Sequence, residues 1–243
     1  MSAMPRSDAE TFRDSRPILI VLHQERSTPG RVGQALRARG HRLDIRRPAL
    51  GDLLPETMEE HRAAIVFGGP MSANDDLDYI RTEIDWIGVP LKEEAPFWGI
   101  CLGGQLMAKQ LGARVYGRED DKVEIGYYPI HPTDEGSDLF ADPTYVYQWH
   151  REGFELPSGA VRLAESEAYP VQAMRYGTNA YGIQFHPELT ALMMNIWLTR
   201  GRERLELPGA QPAPDHRRDR QQYDGELRAW LERFLDHWLG EVG

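Results

Sequence analysis

The segment of the sequence that is most informative about the fold is Pro96-Phe-Trp-Gly-Ile-Cys-Leu-Gly-Gly-Gln105. An apolar run, typical of a buried strand, ends directly at Cys101, and two glycines follow before a helical pattern begins. Glycines beside a sharp strand-to-helix turn remove side chains that would clash there. The pattern predicts that the Cys101 side chain stands above the carboxyl end of a sheet, where open α/β sheets bind ligands.

Strand and helix patterns alternate on both sides of this turn. The predicted strands lie at residues 17–22, 42–45, 63–67 and 96–100, and the predicted helices at 32–39, 77–88 and 105–111. This alternation is typical of βαβ units, and it predicts an α/β fold with an open, mostly parallel sheet flanked by helices. Further strand patterns at 124–130, 144–148, 171–175 and 180–185 predict antiparallel additions to that sheet.

The chain divides into four predicted segments. Residues 1–16 are polar and predict a mobile tail, and residues 17–200 predict the main domain. Residues 201–222 are charged and carry three prolines, which is typical of an exposed connection. Residues 223–243 carry an apolar stripe at helical spacing. We expect them to form an amphipathic helix packed on the same domain rather than on a second subunit.

Composition narrows the class of protein. The 243 residues carry a formal net charge of −10, and an acidic surface argues against a nucleic-acid partner. Residues 1–16 lack the apolar stretch of a signal peptide, and no apolar run is long enough to predict a membrane span. Cys101 is the one cysteine, so no internal disulfide can form. We therefore expect a cytoplasmic protein.

Cys101 is a candidate nucleophile, because the amino end of the helix that follows favours the reactive thiolate. Such a cysteine needs a base, and His186 follows another apolar strand in Tyr181-Gly-Ile-Gln-Phe-His-Pro-Glu188. Glu188, two residues further on, is placed to orient the imidazole. The alternatives are a buried core cysteine and a turn histidine bonded to the backbone.

Acyl chemistry also needs donors for the oxyanion that develops on the attacked carbonyl group. The backbone N–H of Leu102, next to Cys101, is one predicted donor, and the N–H of Gly69 in Gly68-Gly-Pro70 is a second. The alternative for Gly68-Gly-Pro70 is an ordinary turn. No cluster in the sequence has metal-ligand spacing, so we predict neither a metal nor another cofactor.

Three segments together resemble a known family. Gly99-Ile-Cys-Leu-Gly-Gly-Gln105, Gly68-Gly-Pro70 and His186-Pro-Glu188 are similar in order and spacing to the class I glutamine amidotransferases. The likeness covers about residues 18–197. It implies a flavodoxin-like fold and hydrolysis of the glutamine side-chain amide through a cysteine γ-glutamyl thioester, with release of glutamate and ammonia.

The resemblance also implies a role for each matching residue. It implies that the nucleophile is Cys101, the base His186, its orienting residue Glu188, the oxyanion donors Gly69 and Leu102, and a contact to bound glutamine Gln105. Further segments, including Glu124-Ile-Gly126 and Gln148-Trp-His150, are similar to a branch of stand-alone members. That similarity implies that Trp149 and His150 lie near the substrate mouth, although His150 is equally well explained as a structural histidine.

The same branch is similar to the amidotransferase part of GMP synthase and to cytosolic γ-glutamyl peptide hydrolases. The sequence carries no phosphate-binding loop for ATP, so a synthetase that accepts the ammonia would be a separate subunit. The leading hypothesis is a glutaminase. A hydrolase of γ-glutamyl peptides or amides is the alternative, and a non-catalytic regulatory or binding protein on the same fold is the third.

Four other histidines receive no functional role. His23 follows a predicted strand, and we interpret it as structural. His131, His216 and His237 have no partner pattern in the sequence. A cysteine protease or chaperone of related fold is disfavoured, because relatives of that kind often place histidine directly after the cysteine, where this chain has Leu102.

Overall fold

The computed structural model describes residues 14–141 and 144–240, which form eleven β-strands and five α-helices. The strands are β1 (Ile18–Val21), β2 (Leu43–Arg46), β3 (Ala63–Val66), β4 (Phe97–Ile100), β5 (Val115–Gly117), β6 (Glu124–Pro132), β7 (Thr144–His150), β8 (Glu152–Phe154), β9 (Ala160–Glu165), β10 (Ala173–Tyr176) and β11 (Ala180–Ile183). The helices are α1 (Gly30–Ala38), α2 (Asp78–Lys92), α3 (Leu102–Gln110), α4 (Ala191–Arg200) and α5 (Ala213–Leu239).

Nine of the strands form one sheet in the order β2-β1-β3-β4-β11-β10-β9-β6-β7. From β2 to β11 the neighbouring strands are parallel, and from β11 to β7 they are antiparallel. The predicted α/β fold, with a parallel sheet and antiparallel additions, is confirmed. Because parallel strands end at the same edge, the segments that follow β1, β3, β4 and β11 converge at one place.

Helices cover both faces of the sheet, and alternate residues of a strand point to opposite faces. Ile18 and Ile20 of β1 belong to the core that includes α1 and α5. Leu19 and Val21 of the same strand belong to the core that includes α2 and α3. Because both faces are buried, β1 is an unbroken apolar run, which is the pattern that made it recognisable in the sequence.

The carboxyl-terminal helix is longer than the sequence suggested. Residues 201–222, expected as an exposed connection, include the first ten residues of α5, and the helix begins at Ala213 rather than at residue 223. Pro212 and Pro214 lie at its start, where a missing proline N–H costs nothing because the first helical N–H groups have no intrahelical acceptor. Within this stretch His216 and Asp219 are buried.

Smaller differences concern other boundaries. Helix α3 begins at Leu102, three residues before its predicted start, because Gly103 and Gly104 lie inside its first turn. Helix α2 continues to Lys92, beyond its predicted end. The predicted tail, residues 1–16, lies outside the described residues except for its last three. None of the described helices is both long and apolar enough to cross a membrane.

Candidate active site

Cys101 lies at the turn between β4 and α3. Its backbone has φ +51° and ψ −107°, a strained conformation that residues other than glycine rarely adopt. The Cys101 N–H donates to the Ile183 carbonyl oxygen of β11 at 2.8 Å, which ties the turn to the neighbouring strand. Cys101 is buried, with 6% of the residue exposed.

Glycines let α3 lie directly on the strands below this turn. A Cβ atom on Gly103 would lie 2.0 Å from the Val66 carbonyl oxygen of β3. A Cβ atom on Gly99 would lie 2.5 Å from the Gly103 backbone. Such approaches are too close for any side chain, so the contact between helix and sheet depends on glycine at both positions.

His186 follows β11, the strand that pairs with β4, and its imidazole is buried. The imidazole Nδ1 lies 2.8 Å from Glu188 Oε1. The Trp197 ring packs edge-on against the imidazole, with 4.9 Å between the ring centroids. The backbone N–H of His186 donates to the Tyr147 carbonyl oxygen of β7 at 2.9 Å. Both the ring and the backbone of His186 are therefore fixed.

The Cys101 and His186 side chains meet at Gly68, in the turn after β3. A Cβ atom on Gly68 would lie 2.9 Å from His186 Cε1 and 3.4 Å from Cys101 Cβ. Nitrogen Nε2 of His186, which Glu188 does not use, makes no hydrogen bond within the part of the chain that is described. This nitrogen is therefore available for proton exchange with a group bound beside Cys101.

The charge on His186 depends on two opposing effects. Burial disfavours the imidazolium and lowers the pKa of His186, but negative charge on Glu188 and at Cys101 outweighs burial and raises this pKa to about 10. At neutral pH the imidazole is thus protonated, with Nδ1–H donating to Glu188. An imidazolium beside a cysteine favours the thiolate, which is the nucleophilic form.

The start of α1 holds the backbone of Glu188. The Arg31 N–H donates to the Glu188 carbonyl oxygen at 2.8 Å, and a Cβ atom on Gly30 would lie 2.2 Å from that oxygen. Nitrogen Nη2 of Arg31 lies 2.8 Å from both carboxylate oxygens of Asp224 in α5. The carboxyl-terminal helix therefore braces the segment that carries Glu188.

Gly69 and Leu102, whose N–H groups are the predicted oxyanion donors, are neighbours in the structure. Leu102 is the first residue of α3, so its N–H has no acceptor within the helix. A Cβ atom on Gly69 would lie 3.1 Å from Leu102 Cδ2 and 3.1 Å from His23 Cβ. The turn after β3 therefore reaches the amino end of α3, next to Cys101.

Trp149 and His150 have contacts of their own within the fold. Both ring nitrogens of His150 are engaged, Nδ1 with the Glu152 carbonyl oxygen at 3.0 Å and Nε2 with Glu124 Oε2 at 3.0 Å. The Trp149 ring packs against Trp197, the residue that covers His186. Both nitrogens of the His150 ring are therefore bonded within the fold. The Trp149 ring contacts Trp197 and Tyr147, the two residues that hold His186.

The pair of His150 and Glu124 is part of a buried polar network. Ser166 Oγ donates to Glu124 Oε1 at 2.7 Å, and Gln172 Nε2 donates to Glu124 Oε2 at 2.6 Å. Burial raises the pKa of Glu124, but the hydrogen bonds from His150, Ser166 and Gln172 outweigh it and hold this pKa below its ordinary value. The network keeps a carboxylate charged inside the fold.

Comparison with known proteins decides the family. The family model for glutamine amidotransferase class-I matches residues 25–195, which is more than half of the chain. The chain belongs to the class I glutamine amidotransferases. The members of this family are enzymes.

Relatives of this class I amidotransferase agree with the assignment. The chain is 32% identical to the glutamine amidotransferase-like protein YfeJ of Salmonella typhimurium, over 89% of this chain and 95% of that protein. It is 36% identical to the glutamine-hydrolysing GMP synthase subunit of Sulfolobus acidocaldarius, over 55% of this chain and 71% of that protein. A solved glutamine amidotransferase of Thermotoga maritima superposes with a TM-score of 0.84 at 30% identity, covering 93% of this chain and 98% of that one.

The candidate site includes one residue that the sequence did not single out. Gln184 is fully buried, and its Nε2 lies 3.6 Å from Cys101 Sγ. Its Oε1 accepts from Gln105 Nε2 at 3.3 Å, and Gln105 also donates to the Glu152 carbonyl oxygen at 2.8 Å. The signal was a glutamine interrupting the apolar residues of Gly182-Ile-Gln-Phe185. Gln105 thus reaches Cys101 through Gln184.

The histidines without a predicted role have other partners in this amidotransferase. His216 Nδ1 lies 3.0 Å from the Tyr147 hydroxyl, and His237 Nε2 lies 2.9 Å from the Tyr181 hydroxyl. Burial lowers the pKa of His216. Within the described residues, no group of three or more His, Cys, Asp and Glu side chains is arranged to hold a metal ion.

Proposed function

We propose that the protein hydrolyses the side-chain amide of glutamine through a γ-glutamyl thioester on Cys101. The observation that carries this proposal is the placement of a buried imidazole, His186, between the Glu188 carboxylate and Cys101. The raised pKa of His186 supports it, because it favours an imidazolium beside a thiolate.

The first chemical step uses both charges of this pair. The Cys101 thiolate attacks the amide carbon, and the carbonyl π electrons move to oxygen. The N–H groups of Gly69 and Leu102 are the proposed donors to that oxyanion. As the C–N bond breaks, the His186 imidazolium gives its Nε2 proton to the leaving nitrogen. The products are ammonia and the γ-glutamyl thioester.

The second step reverses the proton transfer. Neutral His186 takes a proton from water, whose oxygen attacks the thioester carbon. The C–S bond breaks, and glutamate leaves while the thiolate and imidazolium form again. Glu188 stabilises the imidazolium through Nδ1 in both steps. No cofactor is needed, since acyl transfer of this kind moves only protons and the acyl group.

The ammonia is proposed to serve a separate synthetase subunit. The relation to the Sulfolobus acidocaldarius protein supports this part, because that relative is named as one subunit of a glutamine-hydrolysing GMP synthase. A single cysteine that cannot form an internal disulfide is compatible with the reducing cytoplasm, where we place the enzyme. The acidic net charge of −10 favours neither a nucleic-acid partner nor an anionic membrane surface.

An assay of released ammonia and glutamate tests the proposal. We expect turnover of glutamine by the purified protein, and a loss of at least about 1000-fold in Cys101→Ala, because residues of a catalytic triad act as a unit. A γ-glutamyl dipeptide is assayed in parallel. Cleavage of the dipeptide without turnover of glutamine would replace the glutaminase by a γ-glutamyl peptide hydrolase. Turnover of neither compound by the wild type would leave a non-catalytic protein, and equal activity of wild type and Cys101→Ala would rule out Cys101 as the nucleophile.

A further inference from the structure

Another buried histidine–carboxylate pair lies next to the Gly68–Gly69 turn. His23 follows β1, and its Nε2 lies 2.7 Å from Glu83 Oε2 of α2. Both side chains are fully buried. The other ring nitrogen, Nδ1, lies 3.2 Å from the Gly68 carbonyl oxygen. The pair therefore joins β1 and α2 to the turn that carries a proposed oxyanion donor.

The acceptors around His23 determine how many protons the pair holds. The Gly68 carbonyl oxygen can only accept, so Nδ1 must carry a proton to bond it. The contact between Nε2 and Glu83 needs a second proton, held either by the nitrogen or by the carboxyl group. In both arrangements Nδ1 donates to Gly68. The bond to the turn is therefore independent of where the second proton resides.

The peptide group between Gly68 and Gly69 links the hydrogen bond from His23 to the proposed oxyanion donor, the Gly69 N–H. A trans peptide is planar, and its C=O and N–H point in opposite directions. A donor that holds the Gly68 oxygen on one side therefore aims the Gly69 N–H toward the other side. Cys101 and Leu102 both border this turn, since a Cβ atom on Gly68 would lie 3.4 Å from Cys101 Cβ and one on Gly69 would lie 3.1 Å from Leu102 Cδ2.

We propose that His23 and Glu83 are positioning residues that aim the Gly69 N–H at the oxyanion. The proposal rests on the proposed function. It explains why an anchor is needed, because a peptide flanked by two glycines has little intrinsic preference between its two orientations. It also gives a reason for the burial of Glu83. Burying this carboxylate costs free energy, because its Oε1 makes no hydrogen bond among the described residues.

Two substitutions of His23 separate its two contacts. The side-chain amide of His23→Asn occupies the position of Nδ1 and keeps a donor for Gly68. The amide of His23→Gln occupies the position of Nε2 and keeps only the contact with Glu83. We expect kcat on glutamine to fall about 100-fold in His23→Gln with little change in KM, as for the loss of an oxyanion donor. We expect His23→Asn to retain at least about ten times the kcat of His23→Gln.

Two substitutions of Glu83 provide an independent test in case a His23 variant fails to fold. Glu83→Gln keeps a hydrogen-bond partner for Nε2, whereas Glu83→Leu removes it and frees the imidazole to turn. We expect Glu83→Gln to exceed Glu83→Leu in kcat by at least about tenfold. Equal kcat for these two variants would contradict the proposal.

Alkylation of Cys101 by iodoacetamide distinguishes positioning from general disruption. This displacement forms no oxyanion, so we expect its rate in His23→Gln to match that of wild type while kcat falls. Two results would overturn the proposal. One is an unchanged kcat in His23→Gln, and the other is a fall in alkylation that parallels the fall in kcat.

Failure of the proposed function remains distinguishable from failure of this proposal. If the wild type turns over neither glutamine nor a γ-glutamyl dipeptide, the proposed function is wrong. The crystal structure of His23→Gln then decides the present proposal. A 68–69 peptide that has rotated supports it, and a peptide in its wild-type orientation overturns it.

Discussion

At the scale of single residues, the site depends on how burial and charge compete at His186. Burial alone would keep this imidazole neutral, and negative charge on Glu188 and at Cys101 reverses that preference. The raised pKa means that the imidazolium persists through neutral pH and is lost only as pH rises through about 10. We therefore expect a catalytic step that needs the imidazolium to slow as pH rises through this range.

The substitution Glu188→Gln tests this balance. It removes the carboxylate that raises the pKa of His186 and leaves the burial that lowers it. We expect the His186 imidazolium to lose its proton at lower pH in this variant, and NMR of the imidazole nitrogens as a function of pH measures this titration profile. The control Glu155→Gln, an exposed carboxylate bound to Arg114, should leave the profile in place. Coincident profiles for Glu188→Gln and wild type would refute this explanation.

The sequence identifies candidate site residues when they directly follow an apolar strand. Cys101 and His186 follow apolar strands, so their convergence could be predicted from the rule that parallel strands end at one edge. His23 follows β1 in the same way, but its partner Glu83 lies on a helix 60 residues further along. Only the packing of α2 against the sheet brings them together, and no local pattern encodes that contact. Gln184 was missed because its partner atom, Cys101 Sγ, lies on another strand turn.

At the scale of elements, the contact between α3 and β3 sets the position of Cys101. Gly103 is the point of closest approach, because a Cβ atom there would overlap the Val66 carbonyl oxygen. Gly225 is also helical, in α5, but a Cβ atom there would meet nothing within 4 Å. The two glycines should therefore respond oppositely to the same substitution.

We expect Gly103→Ala to lower the free energy of unfolding by about 1–3 kcal/mol or more, since the helix must move off the sheet. We expect Gly225→Ala to raise it by about 0.5–1 kcal/mol, since alanine favours a helix interior over glycine. Denaturant unfolding of both variants measures these changes. Stabilisation by Gly103→Ala would show that α3 does not lie as close to β3 as described.

The start of α5 shows where element boundaries escape sequence reasoning. Prolines and charges at 201–222 are typical of a connection, yet proline is equally suited to the first turn of a helix. The deciding factor is tertiary, because His216 and Asp219 are buried by contacts that a sequence window does not contain. The apolar stripe from Leu227 onward was readable because it repeats with helical spacing.

At the scale of the whole molecule, the parallel half of the sheet brings the candidate site residues together. The segments after β1, β3, β4 and β11 supply His23, Gly69, Cys101 and His186 in turn. The antiparallel half contributes from the other end of the sheet order, where Tyr147 of β7 accepts the His186 N–H. Alternating strands and helices predicted the parallel half, whereas the strand order of the antiparallel half depends on pairings between distant segments.

The central claim is that Cys101 forms a covalent γ-glutamyl intermediate. A diazo-ketone analogue of glutamine measures it most directly, because such a reagent is bound as substrate and then alkylates the nucleophile. Mass spectrometry of the intact and digested protein should show one added analogue on the peptide containing Cys101. Excess glutamine should slow the labelling, and Cys101→Ala should gain no mass. Absence of labelling in the wild type, or equal labelling of Cys101→Ala, would contradict the account.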